Sequence, residues 1–375
     1  MATFKHFGVP RIYFGPGCLK ELPGLVSELS QELDIAPDSK ILIVCGSHAK
    51  RGLLEELEKL LQPAELAVFV MPFGEPTLSL VEKGIEAAQD TSLVIGAGGG
   101  SALDTAKAIA GLAKLEGAPE EYFFGREIDK PSLPWIGIPT TAGSGAEATN
   151  NSVLIHKGKK QSVRSPFWFA KGALVDPNLT LSLPPQQTAA SGFDALTHAV
   201  EAYCSRFSNP LSDLLSRQAI ELVTKSLPGA VEDGSDLKAR EDLLLGSLLA
   251  ALAFVNCRLG AVHGLAHPIG VRSGASHGVT CALLLPHVFL CNLPVLGSKA
   301  QDIADIWQAA SPEEVAEKIW HLLDKFGLPK TLRELGIEQE DLPDIARESL
   351  PSASLAANPQ PFDFHQLVDL LKKAY

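Results

Sequence analysis

The sequence predicts two domains, an α/β domain with a mostly parallel sheet followed by an all-α domain. The chain has 375 residues, and at about 150 residues per domain this length favours two domains. Short apolar runs alternate with amphipathic segments up to Leu183-Pro184-Pro185, a pattern typical of βαβ units. Helical periodicity dominates beyond that point. We therefore expect the domains to span residues 1–183 and 184–375.

The individual elements follow from the same patterns. In the first half, apolar runs predict buried strands at 41–44, 66–71, 92–96 and 135–138. Amphipathic segments predict helices at 53–61, 78–89 and 102–114, and two short runs, 153–155 and 173–175, fit added strands. In the second half, apolar spacing of three and four residues predicts helices at 186–203, 211–227, 238–254, 261–269 and 312–326.

Charge and composition exclude several classes of protein. The chain carries 32 basic and 44 acidic side chains, a net charge of −12, which argues against nucleic-acid binding and against adhesion to anionic membranes. Residues 278–297 are long and apolar enough to span a bilayer. However, they contain Pro286, His287, Asn292 and Pro294, which break a helix or cost energy in lipid, so we expect buried core.

The cysteines and the N-terminal sequence indicate a cytoplasmic protein. The six cysteines are scattered, form no CxxC pair and are expected to be buried free thiols. The first residues show no apolar segment followed by a cleavage site, so we expect no signal peptide.

A glycine-rich turn between a strand and a helix predicts a phosphate site. Residues 92–107 read SLVIGAGGGSALDTAK, in which four glycines precede the predicted helix. A helix N-terminus presents free N–H groups and a partial positive charge, which favour phosphate. The segment matches neither GxGxxG nor GxxxxGK[ST]. A second strand is followed by PTTAGSGAEAT at 139–149, whose hydroxyl groups could line the same ligand.

Four histidines and an aspartate in the second half form a candidate metal constellation. Asp194 and His198 are four residues apart on a predicted helix, and His263 and His267 repeat that spacing. His277 follows in a Gly/Ser-rich segment that we expect to be a loop. A carboxylate with several imidazoles suits a divalent transition metal.

Together these segments resemble the iron-containing (group III) alcohol dehydrogenase family. The resemblance covers essentially the whole chain and rests on five motifs in order: GGGSALDTAK at 98–107, PTTAGSGAEAT at 139–149, DPNLTLSLPP at 176–185, DALTHAVEAY at 194–203 and HGLAHPIG…HG at 263–278. It implies an N-terminal nucleotide-binding domain and a helical C-terminal domain, a dehydroquinate synthase-like architecture, with the site in the cleft. Residues 71–77 and 167–172 depart from the family pattern.

The resemblance also implies roles for individual residues. It implies that the metal is held by Asp194, His198, His263 and His277, while His267 lies beside the substrate and the nicotinamide and passes a proton. It implies a pyrophosphate on Gly98, Gly99, Gly100 and Ser101, with the rest of the cofactor lined by Asp104, Thr140, Thr141, Val153, Lys160 and Phe254.

The choice of nicotinamide depends on the segment after the 41–44 strand, where the adenosine ribose is expected. An acidic residue there would bind the 2′-hydroxyl and repel a 2′-phosphate. This chain instead has Gly46 and Ser47, followed by Lys50 and Arg51. The sequence therefore favours NADP(H) over NAD(H).

The implied activity is a metal-dependent, NAD(P)-linked alcohol dehydrogenase or aldehyde reductase. Hydride would pass between nicotinamide C4 and a metal-bound alcohol or carbonyl of a small substrate. The family name favours Fe²⁺, although Zn²⁺ or another divalent ion suits the same ligands. The family also implies a homodimer. The alternatives are a metal- and NAD-dependent lyase of the dehydroquinate synthase type, and a non-catalytic nucleotide-binding protein.

Overall fold

A six-stranded parallel sheet forms the centre of the α/β unit. The computed structural model describes residues 3–36, 39–47 and 52–375. The strands of the sheet lie in the order β1-β8-β5-β4-β2-β3, and every adjacent pair is parallel. Their bounds are β1 Ile12–Phe14, β2 Lys40–Gly46, β3 Leu66–Met71, β4 Thr91–Gly98, β5 Trp135–Pro139 and β8 Gly172–Val175.

Both faces of this sheet are buried, which explains why its strands are continuous apolar runs. Alternate residues of β2 enter different cores, Ile41 and Ile43 on one face and Leu42 and Val44 on the other. The helices of the unit are α1 Leu22–Glu32, α2 Leu53–Leu60, α3 Leu78–Ala87, α4 Gly100–Leu112 and α5 Pro119–Phe123.

The strand order creates a switch point between β2 and β4. The chain passes from β2 outward to β3 and then returns through α3 to β4 on the other side of β2. In open parallel sheets, ligands bind where the strand order reverses, beyond the carboxyl ends of the strands. Here those ends are Gly46 of β2 and Gly98 of β4.

Two strands form a separate antiparallel ribbon, β6 Asn151–His156 and β7 Lys159–Arg164. Both turn residues, Lys157 and Gly158, have positive φ angles (48° and 75°), as a two-residue hairpin turn requires. The predicted strand at 153–155 therefore exists but lies outside the main sheet, whereas the strand predicted at 173–175 joins it as β8.

The second unit is helical. Its helices are α6 Pro185–Cys204, α7 Pro210–Glu232, α8 Leu237–Cys257, α9 Ala261–Ser273, α10 His277–Leu296, α11 Ser298–Ile306, α12 Pro312–Lys325, α13 Leu342–Ser349 and α14 Phe364–Ala374. Side chains cap the N-termini of several of these helices. For example, the Asn209 side chain accepts hydrogen bonds from Leu211 N and Ser212 N at the start of α7. The predicted fold class, a parallel α/β unit and an all-α unit, is confirmed.

Helix α10 differs from two sequence-based expectations, one about its prolines and one about His277. Pro286 and Pro294 lie inside it without ending it, so the prediction that they break a helix is wrong. His277 is its first residue rather than part of a loop, with Ser276 as the N-cap. By length and mean hydropathy (1.9) α10 could cross a membrane, but 61% of its most apolar window is buried inside the protein, as in the core helix of a soluble protein.

The packing units do not follow the sequence order throughout. The described residues of Gly8–Thr141 and Gly145–Thr180 pack as the α/β unit. Those of Met1–Phe7, Ala142–Ser144 and Leu181–Tyr375 pack as the helical unit. The domain bounds 1–183 and 184–375 stay a prediction.

Candidate metal and cofactor sites

Three helices bring the sequence-predicted metal ligands together. α6 supplies Asp194 and His198, α9 supplies His263, and α10 supplies His277. The Nε2 atoms of His198, His263 and His277 lie 3.8, 3.7 and 3.7 Å from the same atom, Oδ1 of Asp194. The i,i+4 spacing on α6 puts its two ligands on one face, as the sequence predicted.

Hydrogen bonds fix which nitrogen of two imidazoles faces this centre. Nδ1 of His198 donates to the carbonyl oxygen of Gly143 (3.3 Å), and Nδ1 of His263 donates to Oε2 of Glu201 (2.6 Å). Each bond leaves Nε2 directed at Asp194, and in the neutral imidazole this is the nitrogen with the lone pair. Metal-binding histidines are commonly oriented in this way by a carbonyl or carboxylate on the second ring nitrogen.

Glu201 and Gly143 orient two of the candidate ligands, and the sequence did not predict either of them. Oε1 of Glu201 also accepts the backbone N–H of Val262 (2.6 Å), so the carboxylate joins α6 to the first turn of α9. Gly143 lies in the segment 139–149, for which the sequence predicts only hydroxyl groups that could line a ligand. The sequence did offer one signal for Glu201, since it lies seven residues after Asp194, two turns along the same helix face.

The protonation states of Asp194 and His198 suit a metal centre. Burial would lower the pKa of His263, but neighbouring groups, first among them Cys281, raise it well above its usual value. Burial alone would raise the pKa of Asp194, but the neighbouring His198, His277 and His263 hold that pKa well below its usual range. Burial lowers the pKa of His198 to about 4, so its imidazole is neutral at pH 7. An ionised carboxylate and a neutral imidazole are the forms that bind a divalent ion.

The hydrogen bonding of one buried atom, Oδ1 of Asp194, shows whether the four candidate ligands fit a metal. Asp194 is only 6% exposed, yet its Oδ1 has no hydrogen-bond partner within the described part of the chain. A buried carboxylate oxygen surrounded by three imidazole nitrogens, all beyond hydrogen-bond distance, leaves room for a shared cation. The donor set therefore fits a divalent transition metal.

Cys281, which the sequence predicts to be a buried free thiol, also lies in this cluster. One ligand atom each from Asp194, His263, His277 and Cys281 lies within 4.8 Å of all the others. Sγ of Cys281 is 3.6 Å from Nε2 of His277 and 3.9 Å from Nε2 of His263. In the apoprotein, burial raises the pKa of this thiol to about 11.

The structure also places two further predicted site residues near the cluster. His267 follows His263 by one turn of α9, and its ring centroid is 5.8 Å from that of His277. Phe254 stacks on the His198 ring at 4.5 Å. Their predicted contacts with substrate and cofactor stay predictions.

In the α/β unit, the predicted phosphate-binding glycines lie at the switch point. Gly98 ends β4 with φ +150°, Gly99 is the N-cap of α4, and Gly100 and Ser101 are its first residues. Among the described residues no side chain caps this helix start. A Cβ on Gly98 would lie 2.8 Å from Cβ of Ala102 and 3.6 Å from the backbone N of Gly46. The glycines thus give a ligand close access to the helix terminus.

The two threonines lie beside this turn. The backbone N–H of Thr140 donates to the carbonyl oxygen of Gly98 (3.0 Å). A Cβ added to Gly99 would meet Cγ2 of Thr141 at 3.3 Å. The segment 139–149 therefore begins beside the glycine-rich turn.

Three other predicted cofactor residues lie in the β6–β7 ribbon or contact it. Oδ2 of Asp104 on α4 accepts the backbone N–H of Val153 on β6 (2.9 Å). Lys160 on β7 makes an ion pair with Glu75 (2.9 Å), which belongs to the segment 71–77 that departs from the family pattern. Contact of these three residues with a cofactor stays a prediction.

The residues that favour NADP(H) are only partly described. Gly46 ends β2 and Ser47 follows it with an exposed side chain. Lys50 and Arg51 lie outside the described residues.

Comparison with known protein families gives one match in each half of the chain. The profile of "Iron-containing alcohol dehydrogenase" matches residues 10–177, and that of "Fe-containing alcohol dehydrogenase family, C-terminal" matches residues 188–375. Alcohol dehydrogenase 4 of Saccharomyces cerevisiae is 35% identical, with 100% of each chain covered.

Solved structures show the same fold. The crystal structure of 1,3-propanediol oxidoreductase superposes with a TM-score of 0.91 at 32% identity, covering 100% of both chains. That of sulfoacetaldehyde reductase from Bifidobacterium kashiwanohense in complex with NAD+ gives a TM-score of 0.91 at 27% identity, covering 100% of this chain and 99% of the other.

These similarities support an oxidoreductase and do not support the lyase alternative. Profiles that match both halves, and a relative of this identity aligned along the whole chain, decide the family: the chain belongs to the iron-containing alcohol dehydrogenase family.

Proposed function

We propose that the helical unit holds a divalent transition metal through Asp194, His198, His263 and His277, and that the enzyme interconverts small alcohols and aldehydes there. The observation that carries the proposal is the convergence of three Nε2 atoms on the unpartnered, buried Oδ1 of Asp194, each at 3.7 or 3.8 Å. A divalent ion in that position lowers the pKa of a bound hydroxyl and polarises a carbonyl oxygen. Iron is our first choice because of the family.

The protein's own groups prepare the centre and handle the proton. Glu201 and Gly143 hold two imidazoles with Nε2 directed inward. His267 is half-buried and next to His277, and we assign it the proton transfer to or from the substrate oxygen, directly or through water. Phe254 covers the outer face of the His198 ring, which limits access of water to that ligand.

We further propose that a nicotinamide dinucleotide binds at the switch point of the α/β unit. Its pyrophosphate would accept hydrogen bonds from the start of α4 at Gly99, Gly100 and Ser101, and Thr140 and Thr141 would border it. The cofactor supplies the hydride donor or acceptor, and the protein aligns it with the substrate carbon. The 27%-identical sulfoacetaldehyde reductase supports a nicotinamide ligand, since its crystal contains NAD+.

The preference for NADP(H) rests on the sequence after β2, where Ser47, Lys50 and Arg51 replace an acidic residue. The test is the ratio of Kd values for NADPH and NADH, measured by fluorescence titration. Replacing Lys50 and Arg51 by alanine should weaken NADPH binding and leave NADH binding unchanged. Lys59→Ala, an exposed cation on α2, is the matched control. Equal or tighter NADH binding by the unaltered protein would overturn the preference.

The activity is tested by anaerobic NADPH and NADH oxidation with short aldehydes and oxoacids. Metal-stripped protein is compared with protein reconstituted with Fe²⁺ or Zn²⁺. Metal-dependent consumption with Fe²⁺ the more active ion is expected, and His267→Gln should lower kcat more than it changes metal content. His287→Gln, on α10 against Trp320, is the matched histidine control. No turnover with any metal, despite measured cofactor binding, would overturn the proposal.

We also propose that the enzyme is a cytoplasmic homodimer. The acidic charge and the absence of paired cysteines in the sequence support a cytoplasmic location, and the family supports the dimer. Light scattering after size-exclusion chromatography tests the dimer, and a monomeric mass at assay concentration would contradict it.

A further inference from the structure

Cys281 lies among the candidate metal ligands in a way that distinguishes it from the other cysteines. It follows His277 by four residues on α10, so both side chains project from one helix face. Its Sγ lies 3.6 and 3.9 Å from two imidazole nitrogens, those of His277 and His263. By contrast, Sγ of Cys257 lies against three backbone carbonyl oxygens, at 3.3 to 3.7 Å, as a structural thiol does.

These distances suit a shared ion. With bonds of about 2.0 Å to nitrogen and about 2.3 Å to sulfur, two donors that meet at one ion with an angle of about 110° lie about 3.5 Å apart. The Cys281–His277 separation is close to that value, and all four ligand atoms of Asp194, His263, His277 and Cys281 are within 4.8 Å of one another.

A second, independent observation points into the same space. Oδ1 of Asp194 is buried and receives no hydrogen bond within the described ranges, although a carboxylate oxygen in protein interiors normally receives one. Cys281 is itself fully buried, so its sulfur and this oxygen are enclosed together. The enclosure favours a cation bonded to both over a solvated ion near either.

We propose that Cys281 is a metal ligand, bound as a thiolate to the ion held by Asp194, His198, His263 and His277. The inference rests on the proposed metal site. On binding, the S–H bond breaks, the sulfur–metal bond forms, and the proton leaves to solvent. A thiolate donor shifts a nitrogen–oxygen site toward Zn²⁺ and Co²⁺ relative to the harder Mn²⁺. The sequence therefore contains a selectivity determinant beyond the aspartate and histidines.

The test uses Co²⁺ as a spectroscopic probe in anaerobically reconstituted full-length protein. Bound Co²⁺ shows visible d–d bands with any donors, whereas a near-ultraviolet charge-transfer band requires a thiolate. The unaltered protein is expected to show both. Cys281→Ser and Cys281→Ala should keep the visible bands and lose the ultraviolet band. Cys291→Ser, ten residues further along α10, is the control and should keep both.

A second readout measures selectivity by competition. The ratio of Zn²⁺ to Mn²⁺ affinity, from titration against a chromophoric chelator, should fall by roughly tenfold or more in Cys281→Ala and stay unchanged in Cys291→Ser. Visible bands without the ultraviolet band in the unaltered protein would overturn the thiolate ligand and leave the metal site intact. Absence of both bands would overturn the metal site and this ligand with it.

Discussion

Among the individual residues, Glu201 determines how His263 presents its ligand nitrogen. The carboxylate accepts from Nδ1 of His263 and from the backbone of Val262, both at 2.6 Å, and it is 5% exposed. A buried carboxylate in this position fixes the tautomer and increases the basicity of the ligand. It does not touch Asp194 Oδ1 and acts through His263, so it is a positioning residue.

Glu201→Gln is therefore expected to weaken metal binding by about 10- to 100-fold, because the amide holds the ring less strongly. Glu201→Ala, which leaves Nδ1 of His263 without its acceptor, should weaken it further. Chelator competition measures the affinity, and Glu317→Gln, an exposed residue on α12, is the control. Unchanged affinity in Glu201→Gln with reduced thermal stability would show that Glu201 only supports the fold.

A second residue, Glu147, gives the α/β unit a pH-dependent stability. It is 1% exposed, and burial raises its pKa to about 7 although the charge of Lys107 opposes the rise. The folded state thus binds the proton more tightly than the unfolded state. The stability contributed by protonated Glu147 is complete below pH 4.5, the ordinary value, and is lost as pH rises to about 7.

We accordingly expect Glu147→Gln to become more stable relative to the unaltered protein as pH rises from 5 to 7.5. The difference should grow by up to about 3 kcal/mol, from 1.36 kcal/mol per pKa unit. Urea unfolding at the two pH values measures it, with exposed Glu86→Gln as the control. Stability curves that run parallel over this range would contradict the assignment. Lys107, whose burial lowers its pKa to about 8, begins to lose its charge only at the upper end of this window.

For the secondary-structure elements, α4 shows how closely the helices of the α/β unit are packed. Ten of its thirteen residues are buried. A Cβ added to Gly111 would lie 2.1 Å from Nε1 of Trp168, and that indole is fully buried. Gly111 is thus required by close approach and not by its backbone angles, since it lies within a regular helix.

Gly111→Ala is expected to destabilise the protein by about 1–3 kcal/mol through overpacking. Gly24 on α1 offers the matched control, because a Cβ there meets nothing within 4 Å. Gly24→Ala should be neutral or stabilise by up to about 1 kcal/mol. Thermal or urea unfolding of both variants gives the comparison, and equal effects of the two substitutions would mean that helix propensity, not the Trp168 contact, dominates.

Sequence patterns predicted many of the elements but missed others, namely β1, β7, α1, α5, α10 and α11. Apolar runs and amphipathic spacing give β2, β3, β4, β5 and the central helices with small errors at the ends. They fail at α10 because Pro286 and Pro294 indicate a break. Each proline removes one backbone hydrogen bond, whereas the twelve residues that α10 buries stabilise it far more.

The same error concealed Cys281. If residues 273–278 form a loop, as the sequence predicts, the i,i+4 relation of His277 and Cys281 has no structural meaning. Once α10 begins at His277, that pair repeats the spacing of Asp194 and His198 on α6. The contact of His198 with Gly143 could not be predicted at all, because it joins segments 55 residues apart without a shared pattern.

For the whole molecule, the proposed dinucleotide site and the proposed metal site are assigned to different packing units. The glycine-rich turn and switch point belong to the α/β unit, and the metal ligands belong to the helical unit. Segment 139–149 contributes to both, since Thr140 and Thr141 pack in the first and Gly143 in the second. One short segment can therefore contribute residues to both packing units, and a single domain boundary in the sequence does not show this.

This assignment predicts where each ligand slows hydrogen exchange in the intact protein. Ligand at 100 times its Kd stabilises the state that binds it by about 2.7 kcal/mol. Zn²⁺ should protect amides of α6, α9 and α10, and NADPH should protect amides at the turn from β4 to α4. Mass spectrometry of peptides from the full-length chain resolves these regions. Zn²⁺ alone should protect the three helices, and NADPH alone should protect the turn.

Asp194→Asn separates the two effects, because it removes the carboxylate on which the three imidazoles converge and leaves the glycine-rich turn unchanged. In this variant the Zn²⁺ protection should disappear and the NADPH protection should remain. Protection of α6, α9 and α10 by Zn²⁺ that survives the substitution would place the metal elsewhere. Protection at the turn from β4 to α4 that needs Zn²⁺ would show that dinucleotide binding depends on the metal centre, and that one ligand prepares the protein for the other.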